Sequence, residues 1–385
     1  MNILFITTYY PDPRLGGIER VTQLLGKYFS EHKHRVHCLF FAKSEYDNNI
    51  PSIQGVFLEN KNDAPFFESY LRSKHIHVII NQSHFFYTPF ISEIAHRLDI
   101  PVVFCLHSDS SFKSLSRSDV KKTFHGIKKY VLSLLYPFFH YYSIEKLKRL
   151  HKLSFYSADK TILLSESLLE SYRRNLRISE NDNRLTFINN PLSFSEDLSS
   201  VDLNAKKHVC LIVARMYEPQ KRIFRAIKCW SMIEKEYPSD WTLKLVGDGV
   251  DLERYKNYAQ QLGIKNISFE GGKDSYPYYK DASLFFMTSQ WEGFPMTILE
   301  CLQMGVVPLV MNTFPAARDL VIDGKTGYLI ENEDIDEMAK NTILLMKSSA
   351  NRCVMAQCGL NFSKNFSIKS IGRQWINLLN ELKKQ

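Results

Sequence analysis

The sequence has no Cys-x-x-Cys pair. Its seven cysteines, Cys38, Cys105, Cys210, Cys229, Cys301, Cys353 and Cys358, are odd in number, scattered and mostly set in apolar runs. Such spacing excludes a disulfide framework or a zinc ribbon and reads as reduced core thiols. The His-x-His pairs His32/His34 and His75/His77 have no cysteine or acidic ligand beside them, so no metal site is expected. Nor does the N-terminus join a basic start, a long apolar segment and a small-residue cleavage site, because Ile3 to Ile6 is only a first strand. A cytoplasmic location is the expectation. Helix-turn-helix, RNP-type and zinc-finger patterns are absent as well, which argues against a nucleic-acid partner despite the positive charge.

The 385 residues, 44% hydrophobic and 23% charged, are enough for two ordinary domains. Short apolar runs at Ile3–Thr7, Val36–Phe41, Val78–Ile80, Val102–Leu106 and Thr161–Leu164 alternate with helical stretches such as Ile18–Ser30 and Pro89–Leu98. The alternation restarts at His208–Ala214 and continues through Thr242–Val246, Ile267–Phe269, Leu284–Met287, Val307–Met311 and Gly327–Ile330. Alternating strand and helix signals predict mostly parallel sheets covered on both faces. The fold class is therefore α/β, with two doubly wound, Rossmann-like domains in series. The expected boundaries are 1–190 for the first domain, 191–207 for a polar linker rich in Ser and Asp, and 208–365 for the second domain. A last helix occupies 366–385.

The net charge of +8 is unevenly spread. Between Lys113 and Lys152 ten Lys/Arg stand against Asp119 and Glu145, a local balance of +8 that leaves the other residues at zero. Within this segment Ile127, Tyr130, Val131, Leu134, Leu135 and Phe138 recur at helical spacing, followed by Phe139, Tyr141 and Tyr142. Basic residues flanking such a stripe predict a surface helix able to lie on an anionic membrane. A spanning helix is excluded, since the apolar stretch falls short of about 20 residues and carries Ser133, Pro137 and His140. A core helix with a solvated basic edge is the competing reading.

The most informative stretch is Glu292-Gly293-Phe294-Pro295-Met296-Thr297-Ile298-Leu299-Glu300, two carboxylates bracketing the junction between a buried strand and a helix. Pro295 at the first turn and Gly305 just past the end predict a helix over Met296 to Met304. The unpaired N–H groups near Met296, Thr297 and Ile298 would then face the crevice above the strand ends, where a phosphate is held well. An arbitrary pair of carboxylates at this spacing is ordinarily a loop charge and a surface helix residue. Here Glu292 and Glu300 can instead accept hydrogen bonds from the two ends of one ligand, with a diphosphate between them. Gly16 and Gly17, after the first strand, allow backbone N–H groups to approach a phosphate without a side chain in the way. Arg215 and Lys221 flank a strand-to-helix loop, where on their own they read as solvated loop cations. His107 ends the strand Val102–Leu106 and so stands at a crevice rim.

These phrases, in this order, resemble the Glu-x7-Glu motif and its companions in the retaining glycosyltransferases of family 4: Gly16-Gly17-Ile18-Glu19-Arg20, Arg215 with Lys221, Val246-Gly247-Asp248-Gly249, and the block from Glu292 to Glu300. The resemblance covers nearly the whole chain, except about Glu45–Ser73 and Ser110–Ser157. Asn189-Asn190-Pro191 departs from the usual turn before the second domain, and Asp319 fills a slot where many relatives carry Glu. The resemblance implies the GT-B architecture, two Rossmann-like domains facing a central cleft, with the last helix folding back onto the first domain. It also implies that His107, Arg215, Lys221 and Glu292 serve catalysis and that Gly16, Gly17, Gly247, Phe294, Pro295, Met296, Thr297, Ile298 and Glu300 hold the donor.

The expected partners are a nucleoside-diphosphate sugar, UDP preferred, and a glycan or lipid-linked saccharide acceptor at the inner face of the cell membrane. No cofactor is expected, the nucleotide-sugar being a substrate. Two alternatives stand beside this reading. One is a soluble-acceptor enzyme such as a sugar-phosphate or glucan synthase, and the other is a non-catalytic nucleotide- or glycan-binding relative.

Overall fold

A computed structural model describes residues 1–44, 50–60, 62–82, 85–110, 135–194 and 201–383. The chain divides into two compact units, Met1–Pro191 with Ile368–Gln385, and Leu192–Ser367. Each is built on one parallel sheet.

The first unit holds β1 (Asn2–Tyr9), β2 (Arg35–Ala42), β3 (Gln54–Phe57), β4 (Val78–Asn81), β5 (Val102–Cys105), β6 (Lys160–Leu163) and β7 (Leu185–Phe187), in the order β3-β2-β1-β4-β5-β6-β7. Its inner strands read as unbroken apolar runs because helices cover both faces. Thus β4 and β5 are buried along their full length. The order reverses between β1 and β4, and the helix Gly17–Glu31 starts beside that point. The last helix, Ile368–Leu382, belongs to this unit and packs on Gly17–Glu31, where Gly372 lies so close to the Tyr28 ring that a Cβ would sit 2.3 Å from Cδ1.

The second unit holds β8 (Val209–Val213), β9 (Thr242–Val246), β10 (Ile267–Gly271), β11 (Leu284–Met287), β12 (Val307–Met311) and β13 (Tyr328–Ile330), in the order β10-β9-β8-β11-β12-β13. Its core gathers Leu245, Phe286, Leu309 and Trp230 under the helices Ile223–Glu236 and Ile335–Lys347. The stretch 191–207, expected as a linker, is corrected in part: its described residues after Pro191 belong to this unit. Phe194 explains why, since its N–H and C=O pair with the Gln303 side chain at 3.2 and 2.7 Å. All seven cysteines are free, five of them buried.

Of the basic segment, residues 113–134 lie outside the described residues, and with them Ile127, Tyr130, Val131 and Leu134. From Tyr136 to Ser157 the chain is one helix. Its outer stripe, Phe138, Tyr141, Tyr142, Lys146, Arg149, Leu153 and Tyr156, is exposed, Phe138 at 77%. Among the described residues no helix is long and apolar enough to cross a membrane.

On the inner side of that helix, His151 stacks on Phe85 at 4.0 Å and meets Tyr172 at 5.8 Å. Burial lowers its pKa from 6.5 to about 4. A histidine so held takes up protons more readily when unfolded, so its contribution is full above pH 6.5 and lost as the pH falls toward 4. We expect the melting temperature to drop from pH 7 to pH 5, and His151→Phe to flatten that slope in a pH series of thermal melts. An unchanged slope would contradict the assignment.

Candidate functional site

The second unit assembles its site at the point where strand order reverses. β8 and β11 are hydrogen-bonded neighbours, Leu284 opposite Cys210 and Phe285 opposite Leu211. Loops leaving adjacent strands at such a reversal emerge side by side. Here they are laced together, the Gln290 N–H donating to the Gln220 carbonyl at 2.7 Å and Thr288 Oγ1 to the Lys221 carbonyl at 3.0 Å. Lys221 ends the one-turn helix Glu218–Lys221, which has Pro219 in its first turn. Its Nζ lies 2.6 Å from Glu292 Oε1, with the two side chains only 17% and 10% exposed. Gln220 Nε2 donates to the Trp291 carbonyl at 3.2 Å and reaches Glu292 Oε2 at 3.4 Å. Thus Lys221 and Glu292, 71 residues apart, form one charged pair.

Behind the pair the loop is fixed by a buried carboxyl. Glu218 accepts hydrogen bonds from Tyr255 Oη at 2.9 Å and from the Phe224 N–H at 3.3 Å, and its own N–H donates to Asp251 Oδ2 at 2.8 Å. Desolvation raises the Glu218 pKa. Arg222 joins this short turn to the helix Ile223–Glu236 in the left-handed region, φ +49°. Arg225 extends the network, donating to Gln290 Oε1 at 3.2 Å and pairing with Glu333 at 2.5 Å. Gln220, Gln290 and Arg225 had no signal of their own in the sequence beyond adjacency to Lys221 and Glu292.

Arg215 stands on the same loop and is exposed. The turn that supports it contains Gly247. At φ +135° a Cβ on Gly247 would sit 1.9 Å from the Ala214 carbonyl oxygen, and its N–H is spent on the Gly271 carbonyl at 2.8 Å. Gly249 repeats the approach against Met216 O, and the Met216 N–H donates to Asp248 O at 2.8 Å. The Gly-Asp-Gly turn therefore lies backbone to backbone against the Arg215 loop, which gives Gly247 a packing role.

The helix after Glu292 runs from Met296 to Gln303 with Pro295 as its N-cap. The Ile298 N–H already donates to the Pro295 carbonyl at 3.2 Å, which leaves Met296 and Thr297 as the unpaired amides of the first turn. The side chains of Phe294, Met296 and Ile298 are buried, Phe294 against Phe366, so these residues can serve a ligand only through their backbone. Glu300 is 2% exposed and accepts a 2.7 Å hydrogen bond from Ser193 Oγ. Gly305 closes the helix at φ +64°, as its position in the sequence implied.

The other candidates belong to the first unit. Gly16 and Gly17 open the helix Gly17–Glu31, and Glu19 in its first turn stands so near that a Cβ on Gly16 would lie 3.0 Å from Oε2. His107 lies two residues beyond β5. Its Nε2 is enclosed without a hydrogen-bond partner among the described residues, and burial lowers its pKa to about 4, so the ring is neutral at pH 7. Asp319 sits in the one-turn helix Ala317–Leu320 of the second unit.

A parallel sheet with charged loops and a helix N-terminus at its reversal point is an arrangement suited to a phosphate-bearing ligand. The family is more definite. The profile described as Glycosyltransferase Family 4 matches residues 15–195 and that described as Glycosyl transferases group 1 matches 193–359, and the chain belongs to these glycosyltransferases.

An uncharacterized glycosyltransferase of Haemophilus influenzae is 32% identical over 155 residues, 40% of this chain and 44% of that protein. An alpha-1,4-N-acetyl-D-galactosaminyltransferase of Campylobacter jejuni, whose name gives an undecaprenol-linked glycan as acceptor, is 24% identical over 235 residues, 61% of this chain and 63% of that protein. The match thus spans less than two thirds of either relative. Among solved structures, Anabaena HepE in complex with UDP superposes with a TM-score of 0.74 at 16% identity, covering 99% of this chain and all of that one. This establishes the shared fold.

The backbone reading of Gly247 gives a direct test. Gly247→Ala should destabilise the second unit by about 3 kcal/mol or more, seen as a lowered melting temperature in the absence of any ligand. Wild-type stability in that variant would contradict the packing role.

Proposed function

We propose that the protein transfers a hexose or N-acetylhexosamine, with retention at the anomeric carbon, from a nucleoside-diphosphate sugar to a lipid-linked or polysaccharide acceptor at a membrane surface. The observation that carries the reading is the Lys221–Glu292 contact at 2.6 Å, with Glu292 on the loop that leads into the helix Met296–Gln303, whose Met296 and Thr297 amides have no partner among the described residues. A half-buried ammonium next to a helix N-terminus is a place for the diphosphate, and the carboxylate it releases can accept hydrogen bonds from sugar hydroxyls.

As the sugar–phosphate bond breaks, negative charge grows on the leaving oxygen. Arg215 and Lys221 neutralise it without a metal ion. The oxocarbenium-like sugar is then met by the acceptor hydroxyl from the face the phosphate leaves, and the departing phosphate oxygen takes the hydroxyl proton. Glu292 orients and polarises the sugar and does not attack it, unlike a carboxylate of the two-acid hydrolases. His107, in the first unit, is neutral at pH 7 and suited to hydrogen-bond a hydroxyl.

UDP is the preferred nucleotide, in keeping with the UDP held by HepE, and the lipid-linked acceptor follows the Campylobacter jejuni relative. The membrane half of the proposal rests on the helix Tyr136–Ser157, whose exposed Phe138, Tyr141 and Tyr142 adjoin exposed Lys146 and Arg149. Aromatic rings beside cations favour the interface of an anionic bilayer, on the inner face of the cell membrane.

Two measurements test this reading. Glu292→Gln should lower turnover of UDP-sugar on the order of a hundredfold or more while the protein still folds and melts cooperatively at assay temperature. Near-wild-type turnover in both Glu292→Gln and Arg215→Ala would remove the site assignment. For the membrane, the triple change of Phe138, Tyr141 and Tyr142 to Ser should abolish co-sedimentation with vesicles containing anionic phospholipid. A wild-type protein that fails to sediment with such vesicles favours a soluble acceptor.

A further inference from the structure

The sheet of the second unit has a second end, away from the loops that carry Lys221 and Glu292. There β8, β11 and β12 begin, and His208, Ser283 and Gly305, just ahead of them, line a pocket of about 330 Å³. The first turn of the 15-residue helix Ser349–Ser363 forms another wall. Among the described residues the lining contains the cations Lys206 and Arg352 and no carboxylate.

Among the described residues neither cation forms an ion pair, and Asp281 acts on Lys206 only through its field. Lys206 Nζ donates to the Tyr279 carbonyl at 2.8 Å, and burial pushes its pKa down to about 8. Arg352 Nη1 donates to the carbonyls of Leu345 and Met346 at 2.5 and 3.0 Å, and its guanidinium lies 5.0 Å from the Trp241 ring centroid. That leaves most of its five N–H groups without an acceptor among the described residues. Asp240 pairs with His208 at 2.9 Å, and Asp281 pairs with Lys207 at 2.8 Å. A buried ammonium without a counter-ion is unfavourable. An anion entering this pocket would relieve it.

The helix adds donors of its own. Ser348 Oγ accepts the Asn351 N–H at 3.2 Å, which leaves the amides of Ser349 and Ala350 as first-turn donors, and both residues line the pocket. Two cations and a pair of amides around one cavity match a tetrahedral oxyanion. The volume, within the range of small-molecule sites, exceeds what a bare oxyanion fills, and Leu203 and Ala356 supply an apolar wall.

We propose that this pocket is a second ligand site of the protein, for a phosphate group held between Lys206, Arg352 and the N-terminus of the helix Ser349–Ser363, distinct from the donor loops. Free phosphate and a phosphorylated small molecule share this chemistry. The proposal does not depend on the transferase reading, because all its residues lie at the opposite strand ends.

The test titrates the full chain, selectively labelled at serine and alanine amides, with inorganic phosphate and separately with glucose 1-phosphate. We expect saturable shifts of the Ser349 and Ala350 amides. The dissociation constant should weaken at least about tenfold in Lys206→Gln and stay within about twofold of wild type in Arg215→Ala. Tighter binding of glucose 1-phosphate assigns the apolar wall to an organic body, and equal binding assigns the site to phosphate itself. The proposal is overturned if the two amides do not shift, if the shifts persist unweakened in Lys206→Gln, or if they vanish in Arg215→Ala. Should Lys206→Gln fail to fold, the wild-type amide shifts alone decide.

Discussion

The structure of the second unit turns on one contact, the ion pair between Lys221 and Glu292. Neither residue could reach the other from its own loop unless β8 and β11 were neighbours at the reversal of strand order. Half-buried charges of this kind are costly to separate and of modest worth together. Their value is that the ammonium stays placed, and that a ligand bringing its own phosphate can exchange for the carboxylate without a large change in local charge. The surrounding bonds, from Gln220, Gln290 and Thr288, hold the two loops so that only the side chains have to move.

Close backbone approach does the rest of the positioning. The Gly247–Gly249 turn can lie against Ala214 and Met216 only without Cβ atoms, and it fixes the loop that presents Arg215. On the other side the Phe194–Gln303 pair and Ser193 clamp the chain onto the helix Met296–Gln303, so that Glu300 is buried rather than waiting in solvent. A ribose hydroxyl engaging Glu300 has to share or displace the Ser193 hydroxyl. The two carboxylates are thus held differently: Glu292 pairs with the Lys221 ammonium, and Glu300 accepts from the Ser193 hydroxyl.

Much of this was legible from residue order. β4, β5, β11 and β12 read as unbroken apolar runs because helices bury both their faces. Pro295 and Gly305 marked the ends of their helix through φ preferences that belong to those residues alone. Edge strands were not legible: β3, Gln54–Phe57, is exposed or half-buried, and β7 has three residues, so neither carries an apolar run. Nor was the role of Gly247, because its φ is demanded by a carbonyl on another strand. The partner of Glu300 lies 107 residues earlier in a polar stretch that composition marks as a linker. Local pattern reports what each residue prefers, and these misses are all places where a distant residue decides.

The account is tested most directly by the structure of the full chain with a nucleoside-diphosphate sugar bound. It predicts Lys221 Nζ moved from Glu292 onto a phosphate oxygen, with the Met296 and Thr297 amides on the diphosphate and Glu292 on a sugar hydroxyl. A bound donor that leaves the 2.6 Å Lys221–Glu292 contact intact and touches neither residue would contradict it.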